Sequence, residues 1–268
     1  MDVGAALATM RAGAPLVHCI TNYVAMNFAA NVVLAAGASP AMIHAAEEAG
    51  DFAAIAGALT VNIGTISPHW LEGMKAAAKG ASDAGKPWVL DPVAHFATGY
   101  RAQAAQDLVA LRPSIIRGNA SEIIALSGAA ASGKGADAGD PVAAAEGAAR
   151  ELASKSGAVV AVTGAVDFVT DGQRDARVAG GHDMMPLVTA LGCSLTCLMG
   201  AFAATSRDPF EAAVAALALY GLAGMRATAG SELGAGVVAP GSLKVRFVDE
   251  LYTITPEALT AADLVSAA

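Results

Sequence analysis

Four short polar segments carry residue types that could hold a phosphate or move a proton, and each follows or opens an apolar run. Asp91-Pro92 follows Trp88–Leu90. An acid there suits cation binding or proton transfer, and it serves equally as a turn or helix-cap aspartate. Arg117-Gly118-Asn119-Ala120-Ser121-Glu122 follows Ser114–Ile116. A guanidinium beside a helix start is placed for phosphate oxygens, and Glu122 could hold a metal through water. An Asn119 cap with Glu122 complementing the helix dipole explains the same residues. Thr163-Gly164 closes Val159–Val162; a hydroxyl next to glycine allows close approach to a phosphate, and a plain strand-to-hairpin turn reads the same way. Thr189-Ala190-Leu191-Gly192-Cys193-Ser194-Leu195-Thr196 enters an apolar helix. Backbone N–H groups near Gly192 would stabilise negative charge there, and the same field favours the thiolate of Cys193. Cys193 is thus a candidate proton acceptor, with a packed core cysteine as the alternative. The chain has no Walker A sequence, no GxGxxG after a strand and no HExxH helix.

Such residues need elements to hold them. Short apolar runs alternate with longer alanine-rich helical stretches, which predicts an α/β fold with a mainly parallel central sheet and helices on both faces. The predicted strands are Leu16–Ile20, Pro40–Ile43, Leu59–Ile63, Trp88–Leu90, Ser114–Arg117 and Val159–Val162. Helices are expected between them over Val24–Ala36, Ala45–Ile55, Pro68–Ala84, Ala102–Leu111, Ser121–Leu126 and Pro141–Ser156. Val166–Thr170 and Arg174–Val178 around Asp171-Gly172 predict an antiparallel hairpin. Two helices follow, near Cys193–Thr205 and Pro209–Ala227, then a glycine-rich loop at Gly230–Gly236. Leu243, Phe247, Leu251 and Ile254 share helical spacing, so Leu243–Ile254 is expected to be an amphipathic helix. Gly128–Gly139 reads as a surface loop, and one domain over residues 1–268 is expected. In parallel α/β sheets ligands gather at the carboxyl ends of strands, where three of the four segments fall.

Composition excludes several function classes. Of 268 residues, 55% are apolar and 15% charged, which excludes a disordered chain. So little charge suggests that another subunit covers part of the surface. A net charge of −8 without a basic stripe argues against nucleic acid. Three cysteines, Cys19, Cys193 and Cys197, form neither a disulfide framework nor a zinc pattern, so a reducing, cytoplasmic setting is expected. The N-terminus starts with Asp2 and lacks a long apolar run, unlike a signal peptide. Met184–Ser206 carries no charge, but Pro186, Gly192, Ser194 and Gly200 interrupt it; Ala212–Met225 is short of the roughly 20 residues a span takes. Neither has a basic flank, so two buried helices and no membrane contact are expected.

Taken in order, the segments resemble hydroxyethylthiazole kinase, a ribokinase-like family, nearly end to end. The resemblance rests on His18–Val24 (HCITNYV), the GASPAM segment ending at Met42, Asn62–Thr65 (NIGT) and Leu90–Val93 (LDPV). It continues through Arg117-Gly118-Asn119 with Ser121-Glu122, Thr163-Gly164 with Asp167 and Asp171-Gly172, and Gly192-Cys193. It implies ATP-dependent phosphorylation of the primary alcohol of 4-methyl-5-(2-hydroxyethyl)thiazole in thiamine salvage, with magnesium, in a homotrimer whose active sites lie between subunits. By matching segment it implies Met42 and Ala190 at the thiazole, and Arg117, Thr163 and Gly192 at the nucleotide. It further implies Asp91 and Glu122 at the metal, with Cys193 and Asp91 catalytic. Two stretches depart from the family pattern: Ala94-His95-Phe96-Ala97-Thr98 where Gly-x-Gly-Ala-Thr is usual, and Ala190-Leu191 where Gly-Thr precedes Gly-Cys. Glycine allows φ > 0 near a phosphate, and His95 and Phe96 are expected to bring bulk towards the crevice. Two alternatives remain beside the kinase: an ADP-dependent lyase that repairs hydrated nicotinamide cofactors on the same fold, and a non-catalytic thiazole-binding relative.

Overall fold

The computed structural model describes residues 1–128, 142–229 and 238–268. Nine strands form one sheet in the order β2-β1-β3-β4-β5-β6-β7-β8-β9. The strands are β1 Leu16–Ile20, β2 Ser39–Ala41, β3 Ala58–Asn62, β4 Trp88–Asp91, β5 Ile115–Asn119, β6 Val159–Thr163, β7 Asp167–Thr170, β8 Asp175–Val178 and β9 Val265–Ala267. Pairs from β2 to β6 are parallel, and those from β6 to β9 antiparallel. The α/β architecture and the hairpin after Thr163 are therefore as the sequence predicts. Most of Gly128–Gly139 and all of Gly230–Gly236 lie outside the described residues.

Strand parity decides which side chains share a face, because successive residues alternate across a sheet. Val17, Cys19, Val89, Ile115, Val159 and Ala161 pack into one core layer, which also holds most of the apolar residues of α2 Met26–Ala36, α8 Leu191–Ala203 and α9 Pro209–Thr228. Ile20, Leu59, Val61, Leu90, Ile116, Val160 and Val162 pack into the opposite layer. Counting on by two from Val89, Ile115 and Ala161 puts Asp91, Arg117 and Thr163 on the α8 face. Asn62, next to Val61, falls there too. Four polar residues at four adjacent strand ends are so brought to one side.

Helix α8 is buried along its whole length except at Gly192 and Cys193, where its N-terminus opens to solvent. A helix that is apolar all round has no choice but burial. Its seat on the sheet is close: a Cβ on Gly200 would lie 2.3 Å from Thr60 Cγ2, a distance no side chain survives. Helix α9 is long and apolar enough to cross a membrane, but 78% of its most apolar window is buried within the protein.

Element boundaries differ from expectation for local reasons. Helix α2 starts at Met26, not Val24, because Asn22 Oδ1 accepts the N–H groups of Val24 and Ala25 at 3.1 Å. Helix α5, Gly99–Val109, starts before Ala102 because Thr98 caps it through the N–H of Arg101. Strand β5 runs on to Asn119 through its pairing with Thr163. The C-terminal amphipathic helix is α10 Pro240–Thr253, with Leu243, Phe247 and Leu251 buried. Helices α1 Val3–Gly13 and α11 Pro256–Ala261 and strand β9 have no counterpart in the sequence reading. The remaining helices are α3 Ala46–Ile55, α4 Pro68–Asp83, α6 Ala120–Ser127 and α7 Val142–Ser156.

Both departures from the family pattern sit where glycine is favoured. Ala94 has φ 48° and Ala190 φ 71°, a left-handed conformation that costs an L-residue about 1–2 kcal/mol. His95 does not crowd the crevice as expected. It is buried, with Nδ1 3.2 Å from the carbonyl of Pro92 and its ring edge-on to Phe96. Ala190→Gly should accordingly leave stability unchanged or raise it slightly, since relief of strain outweighs or balances the roughly 0.4–1 kcal/mol of added unfolded-state entropy. Ala148→Gly, in mid-α7, should cost about 1 kcal/mol. Urea denaturation of the two variants checks the contrast; equal losses would show that Ala190 is unstrained.

Candidate active site

Asp91, the last residue of β4, is fully buried and does not face an open crevice. It is the centre of the site. Its Oδ2 accepts from Asn62 Nδ2 at 2.7 Å, Thr196 Oγ1 at 2.7 Å and Arg117 Nη1 at 3.3 Å. The register pairs Asn62 with Asp91 directly, and Leu90 with Ile116, so Arg117 follows beside Asp91. Its Oδ1 is buried and has no partner among the described residues. Burial pushes the carboxyl up, and neighbouring Glu122 adds to this; Arg117, Thr196 and Asn62 pull the other way, leaving it at about 6.

Arg117 stands inside β5, not at its end. Its Nη2 donates to Thr163 Oγ1 at 2.8 Å, and Thr163 Oγ1 donates to the carbonyl of Gly118 at 3.3 Å. Burial alone would lower the guanidinium's affinity for its proton; the carboxylates of Asp91 and Glu122 outweigh it and hold it above the usual range. Arg117 Nε has no partner. Gly192 sits over the guanidinium, so that a Cβ there would lie 3.5 Å from both Nη atoms.

Glu122 is committed to backbone groups. With Asn119 it forms a capping box on α6, its Oε2 accepting the N–H of Asn119 at 2.8 Å and Asn119 Oδ1 that of Glu122 at 2.9 Å. Its Oε1 accepts the N–H of Ala94 at 3.0 Å. The structure thus shows the capping alternative, with Glu122 itself buried.

Cys193 accepts a hydrogen bond from Asn22 Nδ2, 3.2 Å from its Sγ. The expectation that the helix terminus favours its thiolate is overturned: burial, reinforced by the charge of Asp91, pushes the thiol up to about 11. Ala190, at the N-cap of α8, makes no side-chain cap hydrogen bond, so it leaves the amide N–H groups of the first turn at Gly192-Cys193 without a side-chain cap. Asp167, whose carboxylate accepts the N–H of Gly164 at 2.9 Å, is pushed by burial to about 7 against the pull of Arg117.

Asp91, Arg117, Thr163, Glu122, Gly192 and Cys193 are thus brought together. Met42 is not part of this network: it follows edge strand β2 and packs half-buried against the α8-side core. The sequence reading gave no role to Asn22, Asn62 and Thr196, which carry the network. Asn62 ends β3 as Asp91 ends β4, so the rule that singles out polar residues at strand ends applies to it equally.

A mainly parallel sheet with buried charges at its carboxyl edge, beneath a helix N-terminus, places a ligand site of the α/β kind at the strand ends. The chain belongs to the hydroxyethylthiazole kinase family, whose model it matches over residues 7–257. It is 63% identical to hydroxyethylthiazole kinase of Rhizobium johnstonii, covering 99% of this chain and 97% of that one. It is 64% identical to that of Cereibacter sphaeroides, covering 96% and 95%. The solved structure of the Pyrococcus horikoshii protein of that name superposes with TM-score 0.89 at 36% identity, over 99% of this chain and 98% of the other. A pyridoxal kinase from Staphylococcus aureus, 16% identical with TM-score 0.57 over 76% of this chain and 85% of its own, shares the fold. Family membership sets aside the lyase reading.

The raised carboxyl of Asp91 has a sign that can be measured. A group that holds its proton more tightly when folded contributes stability that is complete below the unfolded value near 3.9 and lost as pH rises through about 6. Wild type should therefore lose stability relative to Asp91→Asn between those two values. Urea denaturation across that range checks it; a constant difference would place the carboxyl at its ordinary value.

Proposed function

We propose that the protein transfers the γ-phosphoryl group of ATP to the primary alcohol of 4-methyl-5-(2-hydroxyethyl)thiazole, in thiamine biosynthesis. The carrying observation is the uncapped start of α8 at Gly192-Cys193, set directly over the Arg117–Asp91 pair. Phosphoryl transfer asks a protein mainly to position reactants and neutralise charge. Arg117, Thr163 and the amide N–H groups at Gly192-Cys193 are the donors for phosphate oxygens. Met42 and Ala190 are the residues proposed to meet the thiazole, on the resemblance of their segments.

The residues fit a magnesium ion. Magnesium in such sites is held by one or two carboxylates together with substrate phosphates, and buried Asp91 Oδ1 is without a partner. Asp91 would hold the ion directly and Glu122 through water; bound there, it supplies positive charge to the phosphates. The alcohol oxygen forms the new bond to phosphorus as the bond to the ADP oxygen breaks, and the alcohol's proton passes to Cys193. Only the ionised thiol accepts it. With the thiol pushed up to about 11, that form is scarce at neutral pH, so the rate should rise with pH.

Exposed Tyr23 and Val24, next to Asn22, together with exposed Leu34, Ile55 and Leu187, support a homotrimer with active sites between subunits. Three free thiols fit a cytoplasmic, reducing setting. Light scattering at micromolar concentration should give the trimer mass; a stable monomer would refute the assembly.

Cys193→Ala should lower the rate about 10²–10⁴-fold with little change in KM for the alcohol, and Cys193→Ser should match it. Cys193→Asp should retain or exceed wild-type activity near neutral pH and lose the alkaline rise. ADP release with the thiazole alcohol measures all three. An alanine variant with normal turnover would make Cys193 a packing residue, and tight binding of the alcohol without ADP formation by wild type would favour a non-catalytic relative.

A further inference from the structure

Asp91 is gripped by one oxygen only. The three donors to Oδ2 come from β3, α8 and β5, while Oδ1 has none among the described residues. Thr196 is the least expected of the three. A serine or threonine inside a helix ordinarily turns its hydroxyl back to a carbonyl one turn earlier. Thr9 does so to Ala5, Ser156 to Leu152 and Thr228 to Gly224, each within 3.0 Å. Thr196 is fully buried in α8, yet it carries its hydrogen across to the sheet, 2.7 Å from Asp91 Oδ2. The close seat of α8 at Gly200, one turn further on, makes that reach short.

Asn62 completes the grip and cannot be turned round. Its Oδ1 accepts from the N–H of Gly64 and from Asn22 Nδ2, both at 2.9 Å, so its amide nitrogen must face Asp91. Donors on three separate elements fix the plane of the carboxylate. Whichever oxygen lies away from them is held in one direction.

We propose that Thr196 is a positioning residue: together with Asn62 it clamps one oxygen of Asp91, so that the other is presented in a fixed direction to a divalent cation bound with the nucleotide. The inference rests on the role proposed for Asp91. The hydroxyl touches no reacting atom and acts only through that carboxylate.

Thr196→Val keeps the shape and removes the donor; Thr196→Ser keeps the donor and removes a methyl group. Binding of ADP with Mn²⁺ and with EDTA, measured by calorimetry, gives a readout apart from turnover. In Thr196→Val the affinity for Mn²⁺–ADP and kcat should each fall about 10- to 100-fold, the range for losing a hydrogen bond to a charged group. Metal-free ADP affinity and KM for the thiazole alcohol should stay within about twofold of wild type. Thr196→Ser should recover most of the loss. Wild-type Mn²⁺–ADP binding in Thr196→Val, or an equal loss in Thr196→Ser, overturns the proposal and makes the residue a packing group. If Thr196→Val does not fold, Thr196→Ala replaces it: binding as good as that of Thr196→Ser overturns the proposal, and weaker binding supports it. Asp91→Asn separates the two readings. Wild-type Mn²⁺–ADP binding in that variant defeats the role of Asp91 itself and the inference with it. Loss in Asp91→Asn with none in Thr196→Val defeats the positioning role alone.

Discussion

The structure turns on a carboxylate and a guanidinium buried side by side beneath the start of a helix. Taking two charges out of water costs several kcal/mol each, and their attraction repays this only when every polar atom around them is satisfied. Here that condition is half met. Asp91 Oδ2 has three donors and Arg117 has acceptors at both Nη atoms, while Asp91 Oδ1 and Arg117 Nε have no partner among the described residues. An arrangement selected for stability alone would not leave those two atoms bare, and a site that must receive phosphate and cation has reason to. Stability is supplied by the two apolar layers on either side of the sheet, one of them closed by α8.

The same burial reverses the simple electrostatic reading of Cys193. A helix terminus contributes about 0.3–1 kcal/mol at an exposed site, less than the 1.36 kcal/mol of one pKa unit. The thiol moves from 9.0 to about 11, so desolvation and the charge of Asp91 exceed the helix field. Cys193 stands half-buried at the start of the same helix that carries Thr196 to Asp91. Position and basicity at this residue are set against each other by one helix.

Much of the fold was legible because it follows from pattern. Apolar runs of three to five residues between helical stretches marked six parallel strands, and the turn at Asp171-Gly172 marked the hairpin. Asp91 and Thr163 were legible as polar residues at strand ends and Cys193 as one at a helix start, whereas Arg117, read as a strand-end residue, lies inside β5. What could not be read is lateral. That Asp91 shares a level with Asn62 depends on strand register, and that Thr196 reaches it depends on a helix far along the chain. Residues 29, 105 and 26 positions apart meet at one carboxylate group, and no local pattern encodes the meeting. The elements after α10 were missed because they are brief, whereas α1 was missed although Val3, Leu7 and Met10 stand at helical spacing.

The departures from the family pattern show at which level such a pattern is kept. Ala94 and Ala190 occupy left-handed backbone positions, which glycine adopts without the cost an L-residue bears. The strain of about 1–2 kcal/mol at each is held by the surroundings. The N–H of Ala94 is bonded to Glu122, and the carbonyl of Ala190 accepts the N–H of Ser194. Leu191, standing where threonine is usual, is buried in the α8-side core. Its carbonyl accepts the hydroxyls of Ser194 at 3.0 Å and Tyr220 at 2.6 Å. The helix start is thus anchored from behind by backbone groups and a buried tyrosine, while Gly192 and Cys193 stay at the mouth. Chemistry at this site depends on where the backbone N–H groups point, and that direction survives a change of residue so long as the turn itself is held.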